Sequence, residues 1–459
     1  MNLAYRFPKE FWMTSCLSVN AGADENTTNN KSTDYGKVGI AISEMQFQGV
    51  KVFSPSINTS EFGFEPNIEE HGINFGLKSI NGIGDDISNQ IIARRPYDSL
   101  ESFAQLFLNT KEVKPSQMYQ LIKGGCFDEF DPNRREIMSW YLHNYIFEPC
   151  KSLTLSQLKK IEELDIIPED LKICNSYLKY KSYVLSDEGW VEDYINPEKK
   201  VPKCGYHDRY FILDSPSQKF FKEHFSEDSI VRVQGEYYVI SEKLFSKEVD
   251  RLIQPLRDWM ADDSTLKLYN EESFKRLWDD KCPGNEAAWS MQALSYYDKE
   301  HELKDVDEEL YGIVNFFDLP EDPVSYEYYT RWINGELKQI PKYTITRLAG
   351  TVLQADNNHN TVALLTTYGV VTIKFPKGTY AHYNRRLSSV NETTGEKKVI
   401  ENSWLKRGNL IVVAGYRRGD NYMLKNYNDS VWKHTVNLIT AVNSDGTIDL
   451  QLERRMNNA

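Results

Sequence analysis

Residues 71–95, HGINFGLKSINGIGDDISNQIIARR, limit the possible folds more than any other stretch of this chain. Leu77 and Ile80 stand before Gly82-Ile83-Gly84 at helical spacing, and Ile87 and Ile91 repeat at i, i+4 after it. This pattern predicts two short helices joined by a glycine hairpin too tight for side chains. Unpaired backbone N–H groups at the start of the second helix, helped by the helix dipole, suit a phosphate oxygen. Asp85 and Asp86 fit a helix N-terminus, Lys78 adds charge before the turn, and Arg94 and Arg95 lie one helix length further on.

The element resembles a helix-hairpin-helix, a module that grips a nucleic-acid backbone without reading sequence. Lys78, Gly82, Ile83, Gly84, Arg94 and Arg95 are its expected DNA contacts. Further on, VKPSQMYQLIKGGCFDEF (113–130) puts Pro115 in the first turn of a helix and Gly124-Gly125 at its end. It reads as the second half of a tandem hairpin unit, with Lys123, Gly124 and Gly125 as its contacts. Arg134 and Arg135 then open another helix.

A chain of 459 residues holds several domains with sizeable cores. No apolar run approaches the ~20 residues of a membrane helix, and the start, MNLAYRFPKEFW, lacks the apolar centre of a signal peptide. The six cysteines have no repeating spacing, which fits reduced thiols in a cytoplasm better than a disulfide framework. A net charge of −13 argues at first against nucleic acid, but the distribution reverses the inference. Residues 341–459 hold 16 Lys/Arg against 9 Asp/Glu, behind a body with 38 against 58. A basic C-terminal domain can attract a polyanion.

The blocks AY–P–EF (4–11), GVKVFSPSIN (49–58), INFGLKSINGIG (73–84), YDSLESF (97–103), LIKGGCFDEF (121–130) and NRR (133–135) occur in that order. This order and spacing are similar to bacterial DNA polymerase III alpha subunits, the C-family replicases. In that family the blocks run from the end of the fingers into the helix-hairpin-helix domain. ALSYYDKEHEL (293–303) resembles the block that precedes the family's OB domain.

From about Pro341 the pattern changes to period two, with Val371, Ile373 and Phe375 alternating with Thr372 and Lys374. LAGTVLQ, TVALLTT, GVVTIKF and LIVVAGY read as four strands, with a helix over 379–387 between the third and fourth. With a terminal strand, that order matches an OB barrel, which the resemblance also implies at this position. An insertion over 388–403 departs from the family. Tyr368, Phe375, Tyr380, Tyr383 and Tyr416 are mixed with Lys374, Lys377, Arg385, Arg386, Arg417 and Arg418. Stacking rings beside cations make a single-strand site, although half of these aromatics fit the barrel core, Phe375 above all. The expected single-strand contacts are Tyr368, Lys374, Tyr383, Tyr416, Arg417 and Arg418.

Catalytic residues are missing from the pattern. The family's palm aspartates, which hold two Mg²⁺ ions for phosphoryl transfer, belong upstream of the blocks present. Asp305-Val306-Asp307 lies in a charged run and reads as a solvated face. The eight histidines contain no His-x-His pair, so the family's metal-dependent exonuclease-like domain is not expected. Cys204 and His207, with Cys174 and His224, have gaps too irregular for a zinc site. A hairpin glycosylase would need a catalytic Asp, for which Asp98 is near, and often a hairpin Lys, where this chain has only Asn81 and Ile83. No Walker loop, nucleophile elbow or dinucleotide fingerprint occurs. No metal or cofactor is expected in this chain, Mg²⁺ belonging to the missing catalytic part.

The expected architecture is a multi-domain α+β chain, helical with tandem helix-hairpin-helix elements first and an all-β OB barrel last. The expected divisions are the end of the fingers (1–70), the hairpin domain (71–150), an unassigned insert (151–290), a connecting helical segment (291–340) and the barrel (341–459). The expected function is the DNA-binding C-terminal part of a polymerase III alpha subunit. It would grip duplex product and single-stranded template while another chain supplies the palm. Met1 so near a domain boundary points to a split or truncated gene, and divergence in the insert and barrel leans toward a viral replicase. The alternatives are a stand-alone polymerase-derived DNA-binding or regulatory protein without polymerase activity, and a hairpin-bearing nuclease or repair enzyme. A sliding clamp is a further partner that the resemblance implies, with Ser241-Glu242-Lys243-Leu244-Phe245 the nearest string to its binding peptide; an amphipathic helix start feeding Val249 and Leu252 is the plainer explanation.

Overall fold

The computed structural model describes residues 7–22, 33–186, 190–192, 200–202, 210–390, 397–425 and 435–454. Contacts divide the chain into two compact units, 1–146 with 282–459, and 147–281. The second unit is therefore inserted into the sequence of the first.

The first unit opens with helices α1 (Lys9–Ala21) and α2 (Tyr35–Phe47), the latter capped by the Asp34 carboxylate on the Lys37 N–H. Strand β1 (Lys51–Phe53) pairs in parallel with β3 (Gly72–Asn74), which pairs antiparallel with β2 (Glu65–Asn67). The single-turn 3-10 helix Leu77–Ser79 follows, where the apolar spacing predicts a full helix. Leu77 and Ile80 are both buried, so the period is met by one turn and an extended exit at Ile80. Helix α3 (Asp85–Ala93) then leads to α4 (Leu100–Phe107), α5 (Pro115–Lys123) and α6 (Arg134–Tyr141). Ser99 caps α4, Pro115 occupies the first turn of α5, and Asn133 caps α6. Phe103, Phe107, Met118, Leu121 and Phe127 are fully buried and join these helices.

After the inserted unit the chain forms α7 (Glu286–Leu294), whose end accepts from the Asn81 N–H at Ala293 O. Tyr297 and His301 then bind this segment to the barrel. The Tyr297 hydroxyl is 2.7 Å from Thr351 Oγ1, and His301 Nε2 is 3.1 Å from the Leu365 carbonyl. His301 Nδ1 accepts the Leu303 N–H, so the ring is the neutral Nε2–H tautomer, and burial pushes its pKa down to about 4.

Residues 325–343, most of which lie within the expected helical connection, are instead a β-ribbon of β4 (Ser325–Ile333) and β5 (Glu336–Tyr343). The barrel strands are β6 (Thr346–Asp356), β7 (Thr361–Thr366), β8 (Gly369–Lys374), β11 (Leu410–Arg418) and β12 (Asn421–Leu424). The order β6-β7-β8-β12-β11 closes through β6–β11, with β8–β12 the parallel pair. Helix α8 (Lys377–Asn384) lies between β8 and β11, which makes this five-stranded closed barrel consistent with an OB fold. Along β8 the side chains alternate between buried Val371 and Ile373 and exposed Thr372 and Lys374, as their spacing predicts. Helix α8 is shorter than expected, because Leu387 opens β9 (Leu387–Val390), which pairs with β10 (Lys397–Glu401) in the inserted stretch. Strands β13 (Val436–Val442) and β14 (Ile448–Gln451) extend the sheet from β11.

The second unit has a four-stranded antiparallel sheet in the order Val184–Ser186, Tyr210–Leu213, Tyr237–Ser241, Ile230–Gln234. Helices Ser215–His224, Glu242–Leu252 and Gln254–Ala261 bury Phe220, Phe221, Phe245, Val249 and Leu256 in its core.

Candidate nucleic-acid interface

The Gly82–Gly84 turn owes its shape to Ile83, which is buried and anchors it, while Gly82 and Gly84 face outward. Gly82 has φ +77, a left-handed conformation that glycine adopts without strain. Gly84, the N-cap of α3, has φ −96, and a Cβ at either position would meet nothing within 4 Å. The turn is thus not crowded from within, which corrects the expectation of a hairpin too tight for side chains. The first amides of α3 have no carbonyl four residues back and open onto this bare surface. Gln117 Nε2, in the first turn of α5, is 3.5 Å from the Gly82 carbonyl. That brings the N-terminus of α5, with exposed Lys114 at its cap, to the same place. Lys114 was missed in the sequence because thirty residues separate it from the glycines it joins.

The cations expected here are committed to the protein itself. Lys78 is buried, with Nζ 2.9 Å from Asp85 Oδ1 and donating to the Gly22 carbonyl at 3.1 Å. Arg94 pairs with Glu112 at 2.7 Å and lies over the Phe107 ring. Arg95 donates to the carbonyls of Ile57 and Ser60 and pairs with Glu61. Burial lowers the Arg95 pKa from its ordinary value. These three fasten α3 in place and leave the backbone of the turn as the feature that faces solvent.

Gly124 and Gly125 are different. Both are buried, as is Lys123, whose Nζ donates to Gln292 Oε1 at 2.9 Å. Gly125 has φ +79, and a Cβ there would overlap the guanidinium of Arg134. Arg134 is fully buried, pairing with Asp128 at 2.7 Å and Asp298 at 2.5 Å and donating to Lys123 O and Ser290 Oγ. Burial pushes the Asp298 carboxyl up, but the Arg134 charge and hydrogen bonds outweigh it and hold the group below its ordinary value. Lys123, Gly124 and Gly125 are therefore packing residues, which corrects their assignment to DNA contact.

On the barrel, Tyr383 is buried and stacks on Trp404 at 5.4 Å, so it is core, as are Phe375 and Tyr380. Arg417 donates to the carbonyls of Phe316, Phe317, Leu319 and Gly419 and lies over the Phe316 ring, a structural role. Tyr368 is exposed and donates to Glu308 Oε2 at 2.8 Å. Lys374 is exposed at the end of β8. Tyr416 pairs with Tyr343 at 4.7 Å between ring centres, and exposed Arg418 lies over both rings and donates to Tyr343 Oη at 3.2 Å. This cluster sits at the β11–β12 turn, one of the loops through which OB barrels bind oligonucleotides. Tyr343 was overlooked, although it lies three residues before the first barrel strand.

Other candidates resolve into structure. Asp307 caps a short helix by accepting the Leu310 N–H, while Asp305 stands exposed beside it. Phe245, which a clamp peptide would have to offer, is buried in the core of the second unit. Cys174 is buried there, and His224 lies against Tyr177 and Phe220; Cys204 and His207 fall outside the described residues. Among the described residues no group of three or more His, Cys, Asp or Glu could hold a metal ion. No helix among them is long and apolar enough to cross a membrane.

A bare helix N-terminus in the hairpin unit, together with an OB-type barrel carrying exposed rings and cations, is a combination of features that nucleic-acid-binding proteins share. The helix-hairpin-helix motif model matches residues 49–137, which include both glycine turns. The chain is 39% identical over 459 residues to the probable DNA polymerase YorL of Bacillus subtilis strain 168, and equally to the DNA-directed DNA polymerase of Bacillus phage SPbeta. These matches take in 99% of this chain and 34% of each relative, so the chain spans about a third of their length. A match of 34% identity over 136 residues, 29% of this chain, joins it to 10% of the DNA polymerase III subunit alpha of Chlamydia pneumoniae. The chain is thus similar along nearly its whole length to a third of these phage and Bacillus DNA polymerases, and over part of its length to a polymerase III alpha subunit.

Proposed function

We propose that this chain grips DNA for a replicative polymerase, holding the phosphates of duplex product at the Gly82–Gly84 turn and single-stranded template at the barrel. The observation that carries this reading is Gly84. It has ordinary backbone angles and open space where a side chain would be, so the fold itself does not require glycine there. What a side chain would block is approach to the amides of α3, the donors that a phosphate oxygen takes. Lys114 supplies a cation from the neighbouring helix. At the barrel, Tyr343, Tyr416 and Arg418 combine ring faces with charge, as a sequence-tolerant single-strand site needs. In this reading the phosphoryl-transfer chemistry, with its Mg²⁺ and palm aspartates, belongs to residues outside this sequence.

The test is Gly84→Asp. Aspartate is a good N-cap, so the folded chain keeps or slightly gains stability, while its charge repels phosphate from the same amides. Fluorescence anisotropy with a labelled duplex should then show at least a tenfold weaker Kd at an unchanged or higher Tm. Wild-type affinity in this variant would remove the turn from the reading.

A further inference from the structure

The β4–β5 ribbon pairs with no other strand among the described residues. Asn334 and Gly335, with φ 52 and 80, form its turn in the manner of a type I′ hairpin. Trp332 is 69% exposed, Tyr326 64% and Tyr328 60%. Tyr328, Thr330 and Trp332 alternate onto one face, opposite Pro341, Gln339 and Leu337. Single exposed apolar residues are ordinary, but a run of them on one ribbon marks a binding surface. The exposed groups are mainly flat rings with polar tips, suited to stacking, rather than the branched aliphatics of a hidden core.

Charge favours a polyanion. Glu327 and Glu336 are each matched by a lysine, Lys342 at 2.7 Å and Lys338 at 3.5 Å. Arg331 has no carboxylate partner among the described residues and leaves the ribbon with an uncompensated cation, on the face opposite to that of Tyr328 and Trp332. At the base of the ribbon, Tyr343 ends β5 and is also the ring that packs on Tyr416 beneath Arg418. The ribbon is thus continuous with the aromatic and cationic cluster of the barrel.

We propose that the β4–β5 ribbon is a stacking arm for single-stranded DNA, on which bases lie against Trp332 and Tyr328 before the strand passes to Tyr343, Tyr416 and Arg418. This rests on the proposed single-strand role of the barrel, and the experiment separates the two. Anisotropy of a labelled thirty-nucleotide oligothymidine is measured with the full chain, with Trp332→Ala/Tyr328→Ala, and with Tyr416→Ala/Arg418→Ala. Loss of two stacking rings should weaken binding at least tenfold. It should leave the slope of log Kd against log salt unchanged, because no phosphate contact is removed. Trp332→Phe/Tyr328→Phe keeps the rings and should bind within about twofold of wild type, which excludes misfolding as the cause of the loss. If the ribbon variant binds like wild type while the barrel variant weakens, the arm is overturned and the barrel role stands. If only the ribbon variant weakens, stacking on the ribbon stands, while the barrel role and the passage of the strand to Tyr416 and Arg418 are overturned. Unchanged binding in both, or no oligothymidine binding by the wild type, overturns both.

Discussion

The two glycine turns of the hairpin unit look alike in sequence and do opposite things. Gly82 and Gly84 stand at the surface with open space beside them, around a buried Ile83. Gly124 and Gly125 are buried, and the space a Gly125 side chain would take is filled by Arg134. Glycine at the first turn keeps a surface bare; glycine at the second makes room for a cation inside the protein. A glycine pair in the sequence therefore does not say whether it faces open space or the protein's own side chains; only the surroundings do.

The sharpest way to break this comparison is at Arg134. Arg134→Ala leaves the Asp298 and Asp128 carboxylates without their partner in a buried site, a change that typically costs about 3–5 kcal/mol. Urea and thermal unfolding should show a large loss of stability. A variant of near wild-type stability would mean that the second turn is not the packing site inferred here. Acid titration separates a third contribution, because neither turn contains a histidine. His301 is neutral in the fold with a pKa of about 4, against about 6.5 unfolded. Its contribution is complete above pH 6.5 and is lost as pH falls toward 4, by about 3 kcal/mol in all. His301→Gln keeps a donor for the Leu365 carbonyl and should flatten that part of the stability profile. At the first turn, Gly82→Ala meets no neighbour but must hold a left-handed φ, so it should cost only about 1–2 kcal/mol. The smallest effect on stability is that of Gly84→Asp, a gain of roughly a few tenths of a kcal/mol, set against its tenfold loss of duplex affinity.

Much of this architecture is legible from residue spacing. Val371, Ile373 and Phe375 announce the barrel because a half-buried strand must alternate. Pro115 and Gly124 bracket α5 because each suits its own end of a helix. The candidate site is less legible, since the fate of a cation depends on acceptors far away in sequence. Arg95 meets the carbonyls of Ile57 and Ser60, and Lys78 meets that of Gly22, so charges that seemed available for phosphate are already used. Tyr383 is likewise indistinguishable by composition from Tyr416, yet one faces Trp404 in the core and the other faces Tyr343. The ribbon did carry a signal. Asn334-Gly335, just after the aromatic run of residues 326–332, is a hairpin signature that the expectation of one helical connection over 291–340 does not use.

The position of the 147–281 unit within the chain has a consequence for biosynthesis. Arg134 leaves the ribosome well before Asp298 and Ser290, with the whole inserted unit between them. At ~5–20 residues per second that interval is on the order of ten seconds. During it the nascent hairpin unit exposes a guanidinium destined for burial and lacks α7, which later covers Lys123 and accepts from Asn81. The inserted unit has its own core and can fold meanwhile. The first unit is thus begun before the inserted unit and finished after it, and its waiting segment gives a chaperone an opportunity of that length.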